Sequence, residues 1–119
     1  MSQITTAYQG NMLFESTLGN HSVVIDMPPS LGGKDRGPKP SELVIAALGS
    51  SIGGVVADHC QRLRLDTRNM TVDITFNELK HPNRLANLQV TIDLPHCTCA
   101  GQEQAILQLA VRGRLVPQN

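Results

Sequence analysis

Few side chains in this sequence can do covalent chemistry. Its three cysteines are Cys60, Cys97 and Cys99. The last two lie in His96-Cys97-Thr98-Cys99, where two thiols and an imidazole could ligate a metal or supply a thiolate. A closed zinc site needs four ligands, and no second pair stands at ligand spacing; His59-Cys60 could join only if the fold brought it there. No metal and no cofactor are expected. Cys97 and Cys99 read as ordinary turn residues, the sharper alternative being a thiol made reactive by a helix start. Ser51 is the other candidate nucleophile. A serine needs a base within reach, and its helical neighbours three and four residues away are Ala47, Leu48, Gly54 and Val55. None can take a proton, so Ser51 is expected to be a small buried residue bonded to a helix carbonyl. Cys60, nine residues on, falls half a turn round the helix from Ser51 and reads as a core thiol. His21 and His81 fall in a strand and a turn, where a surface role is expected. Gly32-Gly33 lacks the strand–GxGxxG–helix context of a phosphate site.

The element that must position Ser51 and Cys60 runs from Gly37 to Arg64. Pro38 and Pro40 suit a helix entry, Ser41 can cap it, and Glu42 complements its dipole. Leu43 to Leu48 is apolar at every position, which predicts burial on all sides. Gly49, Gly53 and Gly54 each cost about 1 kcal/mol against alanine in a helix, and close approach of another backbone is the expected reason. Before this helix, Ile4–Tyr8, Met12–Thr17 and His21–Met27 read as three strands with turns at Gln9-Gly10-Asn11 and Gly19-Asn20. Pro28, Pro29, Pro38 and Pro40 then frame a loop. After the helix, Met70, Val72, Ile74 and Phe76 alternate with polar residues, as do Leu88, Val90, Ile92 and Leu94, and the two strands should pair around a turn at Lys80-His81-Pro82-Asn83. Thr98 can cap a last helix reaching about Arg112, with Ile106, Leu109 and Ala110 on its inner face. The order βββ-α-ββ-α belongs to the α+β class.

At 119 residues, the chain fits a single domain over 1–119. An apolar content of 40% with only 3% aromatic gives a lean core and makes association with a second copy plausible. The formal net charge is zero, and residues 1–33 hold no Lys or Arg, which argues against nucleic acid and anionic membrane as partners. No apolar run reaches 18 residues, so no membrane span is expected. The N-terminus lacks the pattern of a secretory signal, and an odd cysteine count does not make a disulfide framework. A cytoplasmic protein with free thiols is the expectation.

The stretch Gly37-Pro-Lys-Pro-Ser-Glu-Leu-Val-Ile-Ala-Ala-Leu-Gly-Ser-Ser51, set between a β-meander and a β-hairpin with a second helix, resembles the OsmC/Ohr family. This family holds the osmotically inducible and organic hydroperoxide resistance proteins, whose matching stretch runs G-P-x-P-x-E-L-L-L-A-A-L-G-S-C. The resemblance implies an intertwined homodimer with buried central helices, active sites at the subunit interface, and a thiol peroxidase for organic hydroperoxides or a relative of one.

The departures from that pattern fall on its catalytic positions. Ser51 stands where the family has its peroxide-reducing cysteine. Arg114, in Arg114-Leu115-Val116, stands where it has the resolving cysteine of the final helix. The glutamate that follows the motif proline is replaced by Ser41, with Glu42 one residue on. The arginine that the family supplies from its N-terminal half has no match, and Arg36 is the nearest candidate. The sequence ends at Asn119, where family members usually continue with a further strand. Peroxide reduction runs through a thiolate and a sulfenic acid, which serine cannot form. The resemblance then implies a relative without efficient peroxidase activity that binds a small apolar or peroxide-like ligand at the dimer interface. The alternatives are a diverged thiol peroxidase using Cys97 or Cys99, and a purely structural interaction module.

Overall fold

A computed structural model describes residues 2–80, 83–98 and 101. The elements are β1 (Thr5–Gly10), β2 (Leu13–Leu18), β3 (His21–Asp26), a single 3₁₀ turn (Pro29–Leu31), α1 (Pro40–Arg62), β4 (Thr71–Leu79) and β5 (Arg84–Asp93). This is the expected α+β order. The final helix expected after Thr98, and with it Arg114, lies outside the described residues, as do His81 and Cys99. The chain divides into two compact units, Met1–Val44 and Ile45–Asn119.

In the first unit β1, β2 and β3 form an antiparallel meander. Gly19-Asn20 makes the two-residue turn its composition predicts, since Leu18 pairs with His21 and Gly19 has φ +61°. The first turn is shifted by one residue from the expected Gln9-Gly10-Asn11. Gly10 pairs with Leu13, so Asn11 and Met12 are the central residues, with φ of +55° and +66°, and Met12 leaves the strand. Among the described residues the buried side chains of this unit are polar, Ser16 and Asp26. Ser16 shares a 2.7 Å hydroxyl–hydroxyl bond with Thr6.

Asp26 closes the unit. Its carboxylate, at 0% exposure, accepts hydrogen bonds from the backbone N–H groups of Lys34 (2.9 Å) and Arg36 (3.1 Å). The Arg36 guanidinium meets both oxygens, Nε at 2.8 Å and Nη2 at 3.1 Å, and Nη2 also reaches the Asn11 carbonyl at 2.8 Å. The segment after the 3₁₀ turn is thereby strapped across the end of β3. Gly33 is required there, because a Cβ would overlap the Met27 carbonyl oxygen. Arg36 and the two amides hold the Asp26 carboxyl well below the usual carboxylate range. A depressed folded-state pKa contributes stability that is complete above the unfolded value and is lost as pH falls. Asp26→Asn should therefore lower the melting temperature by about 10 °C or more at pH 7. The gap to the parent should narrow below about pH 4, where the unfolded carboxyl begins to protonate. Thermal melts giving the same gap at pH 3 and pH 7 would refute this account of the clasp.

The helix α1 begins two residues earlier than a cap at Ser41 would place it. Pro40 is its first residue, Lys39 is the N-cap, and Glu42 accepts the Lys39 N–H at 2.9 Å. Ser41 is thus inside the first turn and is not the cap; Glu42 closes half of a capping box. At the other end Leu65 N–H bonds to the Cys60 carbonyl (2.8 Å) and Arg64 N–H to the Gln61 carbonyl (3.1 Å). This is a Schellman stop with Arg64 in the left-handed region, φ +56°.

In the second unit β4 and β5 pair as the expected hairpin, in the register Val72–Ile92 and Ile74–Val90. β5 starts at Arg84, four residues before the alternation of its sequence begins, because Asn87 at φ +56° makes a bulge opposite Phe76 and breaks the period. Ile52, Val56 and Cys60 form the core on α1, against Leu48, Leu65, Met70, Val72, Ile92 and Leu94.

Candidate functional site

One face of α1 in the second unit is built from small residues: Ala46, Gly49, Ser50, Gly53, Gly54 and Ala57. With Ile45 and with Met70, Val72 and Ile74 along one side, they line an open cleft of about 520 Å³. The glycines have different tasks. Gly53 admits β4, since a Cβ there would lie 3.3 Å from Val72 Cγ2, whereas at Gly49 a Cβ would make ordinary contact, 3.6 Å from Ile74 Cδ1. Among the described residues the close neighbours of these two glycines are strand side chains. Gly54 has no described atom within 4 Å of such a Cβ. Among the described lining residues Ser50 has the only polar side chain, and its Oγ–H is turned back to the helix, 3.1 Å from the Ala46 carbonyl and 3.0 Å from that of Ala47. Among the described residues no ionisable group lines the cleft.

The run Leu43 to Leu48 is not buried all round, as its composition suggests. Ile45 is buried, but Val44 is 53% exposed and Ala46 and Ala47 are exposed. By length and hydropathy α1 would pass as a membrane span, with only 28% of its apolar window buried. Its inner face nonetheless packs on β4 and β5 as a core helix. The remainder is an apolar surface without cover among the described residues.

The residues singled out by sequence fall as follows. Ser51 is half-buried and does not line the cleft, whereas its neighbour Ser50 does. Glu42 is engaged with the N-cap amide, and Arg36 with Asp26. Cys60 is a free thiol at 0% exposure, its pKa raised by burial. It should react with iodoacetamide on the order of a thousandfold more slowly in the native protein than in denaturant; rapid native labelling would remove it from the core. Cys97 is not a free thiol but is disulfide-bonded, against the expectation of free cysteines throughout. It sits in a bend where its N–H bonds to the Leu94 carbonyl, and His96 Nε2 meets Asn69 Nδ2 at 3.1 Å. The amide donates in that pair, so the neutral imidazole carries its proton on Nδ1. Among the described residues no three His, Cys, Asp or Glu side chains gather as a metal site.

No family model matches this sequence, and no curated protein matches it. Solved structures do. A protein from Psychrobacter arcticus 273-4, named for osmotic stress induction and a detoxification response, superposes with a TM-score of 0.84 at 18% identity, covering 93% of this chain and 82% of that one. This chain has the OsmC-like fold. An OsmC-like protein of unknown function from Vibrio cholerae gives a TM-score of 0.72 at 14% identity, over 97% of this chain and 91% of its own. An organic hydroperoxide resistance protein OsmC from Legionella pneumophila gives 0.64 at 15% identity, over 92% and 81%. The resemblance carried by Gly37–Ser51 thus led to the right fold at whole-chain identities of 14–18%.

Proposed function

We propose that this OsmC-like chain is an OsmC/Ohr relative, akin to proteins of organic hydroperoxide detoxification and stress response, that acts as a homodimer without an efficient thiol peroxidase cycle. The observation that carries this is the residue at position 51, beside the cleft. The position that needs a thiolate holds a serine, and among the described residues the adjoining cleft offers apolar surface with no charge to activate a nucleophile. A second copy packs on the open side of the small-residue face, and a small apolar or peroxide-like ligand is held between that face and Met70, Val72 and Ile74. Such a lining favours binding by burial, roughly 25 cal/mol per Å² of apolar surface removed from water.

Native mass spectrometry of the purified protein tests the ligand. A reproducible added mass is expected, extractable into organic solvent and lost in Ala57→Phe, whose ring would fill the cleft. A clean apo mass, together with no displacement of an apolar dye by medium-chain alcohols or hydroperoxides, would leave the cleft as packing surface only.

A further inference from the structure

We draw no further inference here: the strongest candidate, the bend after β5 that carries His96 and the disulfide-bonded Cys97, rests on a sulfur–sulfur bond whose other half lies outside the described residues.

Discussion

Gly54→Leu is expected to break the protein's self-association, whereas the same change in an isolated chain would be harmless or better. Nothing described lies within 4 Å of a Cβ at Gly54, and replacing a mid-helix glycine by leucine gains about 0.8 kcal/mol of helix propensity. A monomer should therefore melt higher after the substitution. If a second copy covers Ala46, Ser50, Gly54 and Ala57, four added carbons overpack that contact and cost about 1–3 kcal/mol or more per site. The wild type should then appear as a dimer by light scattering at micromolar concentration, with an obligate interface of more than roughly 2,000 Å². Gly54→Leu should shift it to monomer or aggregate. Gly53→Leu is the internal control. It collides with Val72 inside the chain, 3.3 Å away even for a Cβ, so it should destabilise whatever the oligomeric state. A wild type that is a stable monomer, or a Gly54→Leu variant that melts higher and scatters unchanged, would end the dimer proposal. Lower stability with unchanged scattering would assign the cover to the chain itself.

How much of this could be read from sequence follows from how local each cause is. The meander, α1 and the hairpin were legible because alternation and turn chemistry act over a few residues: Gly19-Asn20 fixes one turn, and Met70 to Phe76 fixes a strand. The start of β5 was not, because Asn87 interrupts the period that defines a strand. The helix cap was misplaced on Ser41 because the interaction that matters runs backwards, from Glu42 to the Lys39 amide. Asp26 was missed altogether. A carboxylate at a strand end, followed by Pro28 and Pro29, looks like a surface residue, and only the return of the chain at Lys34 and Arg36 makes it the buried anchor of a strap. Within the site, the sequence shows a serine, not a thiol, at position 51. It did not separate Ser50, which faces the cleft, from Ser51, which does not line it, since one residue is 100° of helix and composition alone does not set the phase.

Incubated with cumene or tert-butyl hydroperoxide and a dithiol reductant, the wild-type protein should consume peroxide no faster than the reductant alone. Ser51 has no sulfenic state, and Cys60 is shut away with its pKa raised. Cys97 enters as a disulfide that the dithiol itself would open, so Cys97→Ser is the control for it. Steady turnover abolished by replacing Cys60, Cys97 or Cys99 would overturn this and identify the working thiol. Ser51→Cys restores the missing atom and little else. A thiol near its ordinary pKa of about 8.5 is only a few per cent thiolate at pH 7. The arginine that could lower it is not at hand, for Arg36 is held on both oxygens of Asp26, and no thiol stands at Arg114 to resolve a sulfenic acid. The variant should therefore show at most one slow oxidation per chain, trapped by dimedone, and no multiple turnover. Fast multiple turnover from this single change would mean that a guanidinium and a second thiol already reach the site. The triple variant Ser51→Cys, Asp26→Asn, Arg36→Gln would then decide whether Arg36 leaves its carboxylate to serve there, since activity that survives loss of both clasp charges assigns the charge to another arginine, Arg114 first among them.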